Sequence, residues 1–164
     1  SASYLIRFMA DSSDDGRQVI VQALGKLKNP DSIPILEKTL EDSNMWVRND
    51  AAWALGQIND PRSIRVLYKA LRSPKPSVRE AAAKGLKSYK TSQVVITLIA
   101  AVGDPERGVR LSAAESLAAI GDPSAIPAFK ALLNEPMLKH INWYAETEHD
   151  KVVEDIKLLK KLRD

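Results

Sequence analysis

The stretch "VRNDAAWALGQINDPRSI", Val47 to Ile64, decides the fold. Its first twelve residues place Val47, Ala51, Leu55 and Ile58 at intervals of four, four and three. That is the spacing of one face of an α-helix. Asn59 follows, a residue that tolerates the left-handed conformation in which helices often end. Asp60-Pro61 then sets an N-cap acid before a proline at the first position of a new helix. Ile64, Leu67 and Leu71 continue that helix with the same periodicity. One short segment therefore encodes a helix, a sharp stop and a second helix.

The pattern recurs. Arg17, Arg48, Arg79 and Arg110 are spaced 31 residues apart, and Val47, Val78 and Val109 precede the last three. The same offset aligns Leu24, Leu55, Leu86 and Leu117. It also aligns Ile33, Ile64, Val95 and Ile126, then Leu36, Leu67, Leu98 and Phe129, then Leu40, Leu71, Val102 and Leu133. Pro30, Pro61 and Pro123 share a column in which Ser92 takes the remaining place, with Thr91 as its cap. A period held through so many columns without a slip is the signature of a repeat architecture.

Each unit reads as two helices, and a two-helix unit cannot bury its apolar face alone. Stacking makes the core continuous. The expected fold is all-α, a right-handed α/α superhelix forming a single domain over residues 1–164. Helix pairs are expected at about 1–28, 30–59, 61–90 and 92–121, with a fifth first-helix at 124–134. "QVVITLIAAVG", Gln93–Gly103, has strand-like residues, but its register makes it a helix. After residue 136 the repeat fails. Val152, Val153, Ile156 and Leu159 form one last amphipathic helix, so 137–164 is read as a cap over the final core face.

Composition narrows the function classes. The chain has 164 residues, 45% hydrophobic and 27% charged, normal for a globular domain with a core. The net charge of +3 does not call for a nucleic-acid or membrane partner. There is no cysteine, which excludes disulfides, thiolate metal sites and thiol catalysis. No apolar run reaches membrane-spanning length. A reducing cytoplasm is the expected location. The chain opens on Ser rather than Met, so it is expected to be processed or cut from something longer.

The columns "VRNDAAWALGQINDPRSI", "VREAAAKGL" (78–86) and "VRLSAAESLAAIGDPSAI" (109–126) resemble HEAT-like repeats. They look most like the short, regular branch named after phycobilisome bilin lyases. The resemblance spans roughly residues 1–136 and implies a solenoid; its columns are structural, so it is weak for function. It also implies a structural ladder in which an acid of the inter-helix turn pairs with the arginine of the second helix. Asp11, Asp42 and Asp104 precede Arg17, Arg48 and Arg110 by six residues, while Ser73 interrupts the pattern before Arg79.

Second helices are rich in alanine and glycine, whereas first helices carry Ile, Leu, Phe and Tyr. Small side chains let axes approach, so the stack is expected to curve with second helices on its concave side. Positions 47, 51, 54, 55 and 58 turn inward, which leaves Trp46, Asn49, Asp50, Trp53 and Gln57 on the concave wall. Gln22, Lys84 and Glu115 occupy that wall in neighbouring units, and Trp143 joins it if the cap starts in register. Aromatic anchors within a polar rim are how recognition hot spots are built. A purely structural account also exists: Trp53 lying flat between adjacent second helices, Trp46 closing the turn.

His140 and His149 are nine residues apart, a spacing that fits no helical metal-ligand pair, so no metal and no cofactor are expected. Arg62, Arg65, Lys69 and Arg72 line one first helix around Tyr68 and read as a solvated face. Tyr4, Ile6 and Phe8 lie off the core line of the opening helix and are expected to contact an upstream segment or a second copy. The function expected is a non-catalytic scaffold that binds a protein or peptide in the groove. The resemblance implies one alternative, an accessory bilin lyase or chaperone holding a tetrapyrrole with Asp50 near its pyrrole N–H groups. Another is a HEAT-like DNA glycosylase, whose acid flanked by tryptophans resembles Trp46–Asp50–Trp53. Only Lys26 and Lys84 supply cations on the wall, where a duplex needs many.

Overall fold

The computed structural model describes Met9 and residues 13–128. Tyr4, Ile6, Phe8, Asp11, the end of the fifth first-helix, and the 137–164 segment with Trp143, His140 and His149 lie outside the described residues. The described residues are all-α. The chain forms two compact units, Ser1–Tyr89 and Lys90–Asp164.

In the first unit the elements run α1 (Asp14–Leu27), a 3-10 turn (Pro30–Ser32), α2 (Ile33–Thr39), α3 (Met45–Ile58), α4 (Pro61–Ala70) and α5 (Pro76–Leu86). In the second they run α6 (Ser92–Ala101), α7 (Arg107–Ile120) and a 3-10 turn (Pro123–Ala125). The ambiguous "QVVITLIAAVG" run is helical, as the register required.

Caps explain the boundaries. The side chains of Asn44, Asp60 and Thr91 accept from the backbone N–H groups of Trp46, Arg62 and Val94 at 2.8, 2.8 and 3.3 Å. Asn59 and Gly121 end α3 and α7 with φ of 53° and 77°, the left-handed region. Lys28 does the same for α1, a role its side chain does not announce. The prolines also decide which first helices begin as a 3-10 turn. Pro34 and Pro127 stand four residues after Pro30 and Pro123 and have no N–H to close an α-turn on those carbonyls. The N–H of Ile33 and of Ile126 bonds them instead, a 3-10 closure. In the unit between, Arg65 replaces the second proline and α4 starts directly at Pro61.

The core of the first unit is a ladder of repeat-column residues. Leu24, Leu55 and Leu86 are buried, as are Leu36 and Leu67. The second helices α1, α3 and α5 pack side by side, while the first helices α2 and α4 touch along far less of their length. Glycines permit this closeness. A Cβ on Gly85 would lie 2.6 Å from the carbonyl oxygen of Ala52, and one on Gly56 would lie 2.7 Å from that of Gly85. In the second unit α6 packs on α7, and Val94, Leu98, Val109, Ala113 and Leu117 are all buried.

Candidate functional site

Helix α3 is flanked on both sides by second helices, so more of it is covered than an isolated helical pair would cover. Ala52 and Gly56 are buried along with Val47, Ala51, Ala54 and Leu55. What remains open is a narrow stripe at helical spacing: Trp46, Asp50, Trp53 and Gln57, with Asn49 beside it. Trp46 is 60% exposed and its neighbour Met45 48%. Asn49, Asp50, Trp53 and Gln57 are half-buried.

The two indoles differ. Trp46 begins the helix, its N–H held by the Asn44 cap, and its ring stands in solvent. Trp53 leans on α1: a Cβ placed on Gly25 would come within 2.5 Å of Trp53 Cζ3 and 3.0 Å of Ala54 Cα. Gly25 is therefore the floor on which the Trp53 ring lies. The structural account of a ring sealing the seam between second helices describes part of Trp53, but not Trp46. Gly25 had a sequence signal that was missed, since it shares a repeat column with Gly56.

Between the rings, Asp50 Oδ2 accepts a hydrogen bond from Gln22 Nε2 of α1 at 2.8 Å. This contact and the Gly25–Trp53 approach fix the register of two parallel helices. They set Val19, 67% exposed, level with Val47, one residue along from Trp46. On α5, Lys84 Nζ bonds Glu80 Oε1 of its own helix at 2.6 Å. Glu115 belongs to α7 of the second unit and is exposed there. The first unit thus brings together Gln22, Trp46, Asn49, Asp50, Trp53 and Gln57.

The arginine ladder corrects the expected pairing. Arg48 Nη1 donates to the backbone carbonyls of Asp42 and Ser43 at 2.7 and 2.9 Å, not to the Asp42 carboxylate. Arg79 does the same with Ser73 and Pro74, and Arg110 with Asp104 and Pro105. These bonds serve backbone acceptors, so they are indifferent to whether residue 73 is an acid. The Asp42 carboxylate instead takes Nε and Nη2 of Arg17, in the preceding repeat, at 2.8 and 2.9 Å. Asp42 Oδ1 also accepts from the Asn44 N–H, which aims the carboxylate across the inter-repeat seam rather than along its own hairpin. Ser73 thus interrupts the pattern at Arg48, not at Arg79.

Charge follows from these contacts. Burial pushes the Asp42 carboxyl up, but the bonds from Arg17 and Asn44 outweigh it and hold the group below the ordinary carboxylate range. The bond from Asn44, then that from Arg17, lowers Asp14. On α4, Arg62 pairs with Asp60 at 3.0 Å and Lys69 with Glu37 at 2.8 Å, while Arg65 and Arg72 face solvent. Among the described residues no group of three or more His, Cys, Asp or Glu is placed to hold a metal ion. None of the described helices is long and apolar enough to cross a membrane.

The family model for HEAT repeats matches residues 2–86 and 64–138, most of the chain. The chain belongs to the HEAT-repeat family. No curated protein matches it. Solved structures show where else this HEAT-repeat fold occurs. The complex of CpcE and CpcF of phycocyanin lyase from Nostoc sp. PCC7120 matches with a TM-score of 0.63 and 23% identity, over 99% of this chain and 68% of that one. YibA of Escherichia coli matches with a TM-score of 0.68 and 20% identity, over 96% of this chain and 59% of that one. A designed armadillo repeat protein in complex with the peptide (KR)4 gives 0.52 and 17%, over 94% and 81%. At these identities the likeness is one of fold.

Proposed function

We propose that this HEAT-repeat chain is a non-catalytic scaffold that binds a protein or peptide along the second-helix face of its first unit. The observation that carries the reading is the solvent-standing Trp46, set in one stripe with Asp50 and the Gly25-supported Trp53. An exposed indole contributes little to folding, whereas indoles dominate binding hot spots. Val19 and Met45 extend the apolar surface beside it. Close packing of α1, α3 and α5, against sparse contact between α2 and α4, favours a curvature toward this face. Two structures of similar fold hold polypeptide partners: the designed armadillo repeat protein with its (KR)4 peptide, and CpcE with CpcF.

The test is affinity capture with wild type and Trp46→Ala side by side, followed by binding curves for the proteins retained. Helix content should be the same in both. Affinity should fall by about 2 kcal/mol or more, roughly thirtyfold. Equal capture and equal affinity would refute the reading.

A further inference from the structure

The first unit has nine described acids, and their partners separate one from the rest. Six are ion-paired: Asp14 and Asp42 with Arg17, Glu37 with Lys69, Glu41 with Lys75, Asp60 with Arg62, and Glu80 with Lys84. Asp15 and Asp31 are exposed and sit in the first turn of their helices, where the backbone N–H groups offset negative charge. Asp50 has neither form of compensation. It lies mid-helix and half-buried, and among the described residues its hydrogen-bond partner is the neutral amide of Gln22. Among the described residues no cation pairs with this carboxylate, which is left oriented by an amide alone. Gln22 aims the charge without cancelling it.

Of the two lysines on this face, Lys84 is held by Glu80 and Lys26 is exposed, and neither is ion-paired with Asp50. What flanks Asp50 is aromatic: Trp46 four residues before it and Trp53 three after, both on the same stripe. Indole faces attract cations, and most strongly the flat guanidinium, which stacks while its N–H groups reach a carboxylate edge-on. We infer that the Trp46–Asp50–Trp53 stripe takes an arginine side chain from a basic segment of the partner protein. The inference rests on the scaffold reading above and names the chemistry of the missing partner. The carboxylate supplies the charge, Gln22 fixes its direction, Trp53 on its glycine floor gives a rigid wall, and Trp46 covers the guanidinium from the solvent side.

A displayed library of random twelve-residue peptides, selected on the immobilised full chain and counter-selected on Trp46→Ala, tests both readings separately. The expected result is enrichment of peptides sharing one arginine. The best of them should lose about tenfold or more in affinity for Asp50→Asn, and similarly when that arginine becomes citrulline. It should also bind more weakly as salt rises. Enriched peptides without a shared basic residue, or full affinity for Asp50→Asn, would overturn the arginine inference and leave the scaffold reading standing. No enrichment over Trp46→Ala would overturn both. Asp50→Asn keeps the size of the side chain and its contact with Gln22, and equal melting of the two proteins would show that the loss is not one of folding.

Discussion

Ser73 occupies the repeat column of Asp42 and Asp104, and the observed ladder assigns that column to the arginine of the preceding repeat. Arg48 is that arginine. It commits Nη1 to carbonyls, whereas Arg17 presents Nε and Nη2 to Asp42. The local turn is already right, because Ser73 Oγ accepts from the Lys75 N–H at 3.2 Å, as Asp42 Oδ1 accepts from the Asn44 N–H at 2.9 Å. Ser73→Asp should therefore place a carboxylate on the open edge of Arg48. The template pair is 17% and 12% exposed and makes two charge-assisted bonds. Hydrogen bonds to charged groups contribute about 1.5–3 kcal/mol net. Exposed ion pairs retain about 0.2–1 kcal/mol. Partial burial puts the net gain near 1 kcal/mol, a rise of about 3 °C in Tm for a chain of this size. The assay is urea and thermal unfolding of Ser73→Asp and Ser73→Asn, each with and without Arg48→Gln. The asparagine keeps the turn and lacks the charge, so the cycle isolates the pair. Arg48 would depress the folded pKa of the introduced carboxyl. Its stabilisation is then complete above the unfolded value of about 3.9 and is lost as pH falls through the folded one. A gain no larger than that of Ser73→Asn, or one that survives Arg48→Gln, would refute the inter-repeat pairing.

Asp42→Asn should destabilise the chain by about 2 kcal/mol at neutral pH, because half-buried Arg17 loses the less exposed of its two carboxylates and keeps only Asp14. Since the Asp42 pKa is lowered on folding, the deficit should shrink as pH falls below about 4, which urea midpoints from pH 7 to 2.5 will follow. Gly85→Ala should cost about 2 kcal/mol, because its Cβ would meet the Ala52 carbonyl at 2.6 Å, backbone that cannot turn aside; thermal melting measures it. Gly25→Ala should lift the Trp53 ring and shift tryptophan emission, with no such shift in Trp53→Phe carrying the same change. Tyr89→Phe should cost about 1–2 kcal/mol in urea unfolding, because the Tyr89 hydroxyl donates to the buried Leu55 carbonyl at 2.8 Å. In α1 and α7 the cap residue's own N–H serves that position.

The sequence by itself determined the helices, several of their caps and their repeat. Those depend on interactions a few residues long: apolar spacing within a turn, an acid before a proline, an asparagine or glycine where the chain must turn left-handed. The 31-residue period then names Leu24, Leu55 and Leu86 as core without any coordinates. It also put Trp46, Asp50 and Trp53 on one open stripe, since helical geometry fixes which residues share a face. Tertiary structure decided what periodicity cannot carry. Whether Asp42 meets the arginine six residues ahead or the one twenty-five behind depends on the distance between hairpins, not on spacing along one. Whether Trp53 stands clear or lies on Gly25 depends on how closely α1 approaches α3. Side-chain spacing within an element is a local property of the chain, whereas partners across elements exist only once packing has set the gap between backbones.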